Sequence, residues 1–164
     1  MQVKKPMTHN VRKRISEYSK TQMDISELIS GYSIKGEDLS FCYIAELNVS
    51  GEDISGCNLT GSKIKIQAQK ATAQNCKFIR TEFLQGSSLR GGDFRRSNFY
   101  QANAGYIDYA YGDFRGANIC GVVLSFASKL GYKAKFAENL VDLVRKWWDI
   151  VPSSLQMQDE RAEN

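Results

Sequence analysis

Between Gly91 and Ile119 the chain reads GGDFRRSNFYQANAGYIDYAYGDFRGANI, and an apolar or aromatic residue returns at every fifth position: Phe94, Phe99, Ala104, Tyr109, Phe114, Ile119. An Asp or Asn stands directly before each of them, at Asp93, Asn98, Asn103, Asp108, Asp113 and Asn118. An α-helix brings its buried face back every 3.6 residues and a strand every 2, so neither can be the repeating unit of a five-residue beat.

The beat reaches back through Ile34, Leu39, Ile44, Val49, Ile54, Leu59 and Ile64, and forward to Leu124. Two residues before each central position the chain places mostly small or apolar side chains, among them Cys42, Leu47, Cys57, Ser62, Ala102, Ile107, Ala117 and Val122. The rule is small or apolar, then Asp or Asn, then Leu, Ile or Phe, then two freer positions.

This pattern resembles the pentapeptide-repeat family, whose motif is written A(D/N)LXX. GEDLS, CNLTG, GDFRR, SNFYQ, GDFRG and ANICG carry the resemblance, which covers roughly residues 34–124. It implies an all-β solenoid, a right-handed quadrilateral β-helix with four five-residue sides per coil. The central residue and the one two before it point inward. With coils stacked at ~4.8 Å, about five fit in the repeat region.

Residues one coil apart should then form columns. The first reads Ile34, Ile54, Ala73, Phe94, Phe114; the second Leu39, Leu59, Phe78, Phe99, Ile119; the third Ile44, Ile64, Phe83, Ala104, Leu124; the fourth Val49, Gln69, Leu89, Tyr109. The middle coil slips in phase. One residue is missing around KATAQNC and one is added around LQGSSL, with Gly86 as the surplus.

Open coil ends leave backbone groups unpaired, so repeat arrays need caps, and both flanks are expected to supply short helices. Residues 1–33 read as a basic arm and cap: a helix with Val11, Ile15 and Tyr18 on one face, then DISELISG with Asp24 as N-cap and Gly31 as the stop. Residues 34–126 are the repeats. Residues 127–151 read as an amphipathic cap helix with Phe136, Leu140, Val144, Trp147 and Trp148, ended by Pro152, and residues 152–164 as a disordered tail.

Charge and chemistry narrow the function. Of the formal net charge of +4, the excess concentrates in the N-terminal arm at Lys4, Lys5, Arg12, Lys13 and Arg14, read as a solvated lead-in rather than a nucleic-acid arm. Nothing approaches the ~20 apolar residues of a membrane span, and no apolar stretch follows the first basic residues, so a cytoplasmic protein is expected. Cys42, Cys57 and Cys76 fall in inward slots, without the spacing of a metal site; Cys57 and Cys76 should stack as thiols. The single histidine, His9, has no evident catalytic partners, and the Asp residues mostly occupy the repeat's own slot. No cofactor or enzymatic activity is expected.

The outward columns are left to act. Ile66, Ile79, Leu84, Tyr100, Tyr106 and Phe126 form a candidate protein-interaction face, with Phe41 and Tyr111 as further outward apolar residues; Arg90, Arg95, Arg96 and Arg115 form a candidate basic patch. The expected function is a non-enzymatic scaffold for an unidentified protein partner, with a homodimer through the C-terminal helix as a further expectation. The resemblance also implies an alternative, binding and protecting DNA gyrase or topoisomerase IV by DNA mimicry, which the lack of acidic columns disfavours. A second alternative is an effector delivered into a host cell. Nucleic acid is disfavoured as a ligand because acidic residues are scattered among the basic ones.

Overall fold

The computed structural model describes residues 4–105 and 107–123. The Phe136–Trp148 helix, the tail, Leu124, and Tyr106 and Phe126 of the expected apolar face lie outside the described residues.

In chain order the elements are β1 (Lys5–Pro6), α1 (His9–Thr21), α2 (Ser26–Ile29), β2 (Tyr32–Ser33), β3 (Tyr43–Asn48), β4 (Lys63–Gln67) and β5 (Glu82–Phe83). Most of the chain between them is neither helix nor long strand. It is a series of short parallel pairings, each joining a residue to one about twenty further on, in four columns. One column links Asp53, Thr72, Asp93 and Asp113; the next links Asp38, Asn58, Lys77, Asn98 and Asn118. A third runs Asp24, Tyr43, Lys63, Glu82, Asn103, Val123, and the fourth Asn48, Gln67, Ser88, Asp108. The coils therefore stack in parallel, and the backbone bonds between coils satisfy groups that a buried chain cannot leave unpaired.

Most five-residue sides close with a tight turn. The residue two after the centre takes a left-handed φ, as at Gly56, Asn75, Arg96 and Gly116, and the next amide bonds back to the central carbonyl; Cys57 N donates to Ile54 O at 3.1 Å. The Asp or Asn before the centre accepts a bond from the amide two residues on, such as Ser55 N to Asp53 Oδ1 at 2.9 Å and Tyr100 N to Asn98 Oδ1 at 3.0 Å. These are Asx turns, so the repeated carboxylate and amide side chains fold corners.

The core is one continuous cluster of central residues and of those two before them. Ile34 to Ile64 are aliphatic; Phe78, Phe83, Phe94, Phe99 and Phe114 then take over as a ladder of rings. Phe78 stacks on Phe99 at 4.7 Å between centroids and Phe94 on Phe114 at 5.2 Å, with Phe94 edge-on to Phe99 at 6.0 Å.

The phase slip lies one side earlier than the sequence suggests. Val49 N donates to Gln67 O and Ala68 N to Ser88 O, both at 2.8 Å, so Ala68 is the central residue of the fourth column and Gln69 lies just outside it. The missing residue falls between Ile64 and Ala68, not at KATAQNC. The extra residue lies between Phe83 and Leu89, as expected, with Gly86 in the left-handed region. At Ala45–Glu46 and Lys65 no residue takes a left-handed φ, and there the chain runs straight as β3 and β4, with a register shift between Ile44 and Leu47. Alternating isoleucines in KIKIQ suit such a strand.

The N-terminal segment is docked rather than solvated. Thr8 caps α1 by accepting from Val11 N, and Met7, Val11 and Ile15 are buried against the first coil. Asp24 is not the cap of α2, whose N-cap is Ile25; it accepts from Ser26 N and from Ala45 N, each within 3.0 Å, and behaves as a coil corner. Glu37 and Glu52 occupy slots that elsewhere hold small side chains. Arg12 Nε and Nη2 donate to Glu37 at 2.8 and 2.6 Å, and Lys4 pairs with Glu52 at 2.8 Å. Two of the arm's cations are thus counterions of the first coils.

Candidate functional site

The same four-residue word, GDFR, occurs at Gly92–Arg95 and Gly112–Arg115, one coil apart because Asp93 pairs with Asp113. Each letter has a separate physical task. The glycine makes room for the ring that follows it: a Cβ on Gly92 would lie 2.4 Å from Phe94 Cε2, and one on Gly112 would lie 2.5 Å from Phe114 Cε2. The two rings stack and fix the backbone of the side. The Asp first folds the corner, through Arg95 N at 3.2 Å and Arg115 N at 3.2 Å, and then holds the arginine.

That hold is bidentate. Arg95 Nε and Nη2 donate to Asp93 at 2.9 and 2.8 Å; Arg115 Nε and Nη2 donate to Asp113 at 2.9 and 2.6 Å. Gln74 Nε2 adds a bond to Asp93 Oδ2 at 2.6 Å. The Arg95 guanidinium and these further donors hold the Asp93 carboxyl below the ordinary carboxylate range, and Arg115 does the same for Asp113. Gln74, Arg95, Arg96, Arg115 and Gly116 together line an open groove of about 400 Å³.

Arg90 does not join this groove. Its guanidinium lies 4.8 Å from the centre of the Tyr111 ring and 3.5 Å from Asp108, at the neighbouring corner. The basic patch expected from sequence therefore divides: Arg95, Arg96 and Arg115 share a groove, and Arg90 stands apart.

The expected apolar face does not form as a stripe. Ile66 is fully buried, 0% exposed, because the missing residue beside it shifts it into the inward slot, paired with Leu47. Leu84 follows a central residue instead of preceding one, so it and Ile66 occupy different slots. Ile79 and Tyr100 do share an outer slot in successive coils, both half-buried. Among the described outward apolar residues Phe41 is the most exposed, at 59%; its ring lies over Gly61, where a Cβ would come within 2.7 Å of it.

Cys42, Cys57 and Cys76 are buried free thiols, and Cys120 is exposed. Burial pushes Cys42 and Cys76 up to about 11, and Cys57 well above its ordinary value. Among the described residues no cluster of His, Cys, Asp and Glu could hold a metal ion, and no helix is long and apolar enough to cross a membrane. The sequence reading missed the role of Gly92 and Gly112; the signal was there, since each precedes Asp-Phe where the repeats that follow carry a side chain, at Ser97 and Ala117.

No family profile matches the chain, and no curated protein is similar to it. Solved structures similar to it include HetL, a pentapeptide-repeat protein involved in heterocyst differentiation regulation in the cyanobacterium Nostoc. That match has 17% identity and a TM-score of 0.47, over 64% of this chain and 49% of HetL. Rfr23, a pentapeptide-repeat protein from the cyanobacterium Cyanothece, matches at 18% identity and a TM-score of 0.42, over 57% of this chain and 61% of its own. The fluoroquinolone-resistance protein QnrB1 matches at 12% identity and a TM-score of 0.30, over 72% and 84%. The chain spans about half the length of HetL and about three fifths of Rfr23.

Proposed function

We propose that this chain, a pentapeptide-repeat protein by the five-residue sides it stacks, is a non-enzymatic scaffold that binds a protein partner through its outer columns. In this reading the stack is a right-handed, four-sided β-helix of about five coils. Residues 1–33 cap one end and 127–151 the other, around repeats at 34–126, and the protein works in the cytoplasm.

The observation that carries the reading is the pair of Asp–Arg clamps. Arg95 and Arg115 are outward side chains whose conformation is already fixed, by Asp93 and Asp113. Ordering a long side chain on binding costs roughly 0.5–1.5 kcal/mol, and a face whose side chains are ordered beforehand avoids that loss. The protein spends core packing, corner geometry and carboxylates on presenting rigid groups, which is what a recognition surface needs. DNA mimicry needs acidic columns, whereas residues 65–123 carry eight Lys and Arg against four Asp and Glu.

Site-specific photo-crosslinking tests the scaffold reading. A benzophenone amino acid placed singly at Ser55, Gln74 and Gln101, and at Thr60, Lys70 and Gln85, samples different outer columns. Expression in the native host should give one discrete adduct from adjacent positions of a single face. An absence of adducts from every column would overturn the reading.

A further inference from the structure

Resting on the scaffold reading, we propose that the groove at Arg95, Arg96 and Arg115 receives an acidic α-helix of the partner, with two carboxylates one helical turn apart seated on Arg95 and Arg115. Three features of the groove lead to this partner.

The first is donor geometry. Both clamps use Nε and Nη2, which leaves Nη1 of each guanidinium outside the clamp. Arg96, in the left-handed corner position between the two words, adds a third cation to the lining. Three guanidiniums meet two carboxylates, Asp93 and Asp113, so the groove retains positive charge. Arg95 and Arg115 are close enough for the charge of one to act on the other, and a bridging anion would relieve that repulsion.

The second is spacing. Arg95 and Arg115 follow paired residues on adjacent coils and are therefore offset by one coil, ~4.8 Å. Glu side chains at i and i+4 of a helix lie about 5–6 Å apart at Cβ, with a pitch of ~5.4 Å. Same-face side chains of an extended strand recur at about 6.6–6.8 Å, which overshoots the ladder. Over only two coils the helix fits with little strain.

The third is what lines the groove. Gly116 leaves space beside Arg96: a Cβ there would meet Arg96 Cγ only at 3.7 Å, so the floor is open to approach. Among the described residues no aromatic ring lines it, and stacking on aromatic rings is how single-stranded nucleic acid is held without base readout. The nearby Tyr111 already lies against Arg90.

The test uses the full chain and three fluorescent probes at low salt: an alanine-rich peptide with Glu at i and i+4, its isomer with Glu at alternate positions, and an oligothymidine. Anisotropy should show binding of the first peptide, falling as salt rises. Arg96→Gln, which breaks no clamp, and Arg115→Gln should each weaken it several-fold, and the pair about tenfold or more, with unchanged melting of the Arg96→Gln protein. Arg90→Gln should leave binding as it was. Equal binding of the isomeric peptide, tighter binding of oligothymidine, an equal effect of Arg90→Gln, or no binding at low salt would each overturn the proposal. If the peptide fails while crosslinks still form on one face, the acidic helix falls and the scaffold stands; if both fail, both fall.

Discussion

The early coils and the late coils solve the same packing problem with different side chains. From Ile34 to Ile64 the centres are aliphatic, and the slot two positions before them is mixed, with Glu37, Cys42, Leu47, Glu52, Cys57 and Ser62 among its occupants. From Phe78 to Phe114 five of the centres form a ladder of Phe rings, and the slot two before each Phe holds a small residue: Cys76, Thr81, Gly92, Ser97 and Gly112. Each large Phe is thus matched by a small neighbour, as close packing of the interior requires. The surfaces differ as well. Residues 4–64 carry eight basic and eight acidic residues, residues 65–123 eight and four. In the early half Lys4 and Arg12 are bound to Glu52 and Glu37 and tie the N-terminal segment to the first coils; in the late half arginines are clamped from beside, on the same side of the coil, and remain on the surface. The early half uses cations to tie down the N-terminal segment, and the late half keeps ordered arginines on its surface.

The sharpest way to break this contrast is to remove a ring. Phe94→Ala should cost about 4 kcal/mol in chemical denaturation, against about 1 kcal/mol for Ile54→Val in the aliphatic half. A Phe94 loss no larger than that of Ile54 would mean the ring ladder is not the late core. The glycines divide the same way. Gly92→Ala forces a methyl into the Phe94 ring and should cost about 3 kcal/mol. Gly56→Ala meets nothing closer than 3.7 Å and bears only the left-handed backbone, about 1 kcal/mol. Similar losses at both positions would erase the distinction between a packing glycine and a turn glycine.

Acid should act on both halves through carboxylates. Lys35 holds Asp53 down to about 2, and Asp93 and Asp113 are held below their ordinary value by Arg95 and Arg115. A carboxyl whose folded pKa is depressed contributes stability that is full above its unfolded value of about 3.9 and is lost as the pH falls through the folded value. Urea midpoints should therefore be flat above about pH 5 and fall between about pH 4 and 2. The Asp93→Asn variant should fall less steeply over that range. The smallest effect is on reactivity rather than stability. An aromatic disulfide reagent should titrate Cys120 in the native protein and leave Cys42, Cys57 and Cys76 until the coils unfold.

Much of this architecture was legible because its period is unusual. A five-residue beat with Asx before each centre identifies sides, corners and inward slots, and the columns of the outer coils follow by counting. Counting fails where a residue is lost. Gln69 and Ala68 are adjacent, and a one-residue error exchanges inside for outside; the same error sent Ile66 to the surface when it belongs to the core. The basic arm misled for a different reason. Net charge along a segment does not say where its counterions are, and Glu37 and Glu52 lie 25 and 48 residues from Arg12 and Lys4. In the arginine groove the residues were visible, but the clamps that order two of them and set Arg90 apart were not, because Asp93 and Asp113 had already been assigned to corners. They do both jobs with different bonds.

The two phase errors occupy one corner, in adjacent coils. The coil that is one residue short, Ile64 to Ala68, is stacked next to the one that is one residue long, Phe83 to Leu89, and Gln67 Nε2 donates to Gly86 O at 2.6 Å across them. A rod whose every side has a fixed length thus has one seam at which length is negotiable. Residues inserted between Gln85 and Gly86, both exposed, would loop outward from that seam without advancing the phase of the coils beyond it. It is the place where a new loop could be grafted, or gained by descent, while the GDFR words kept their alignment.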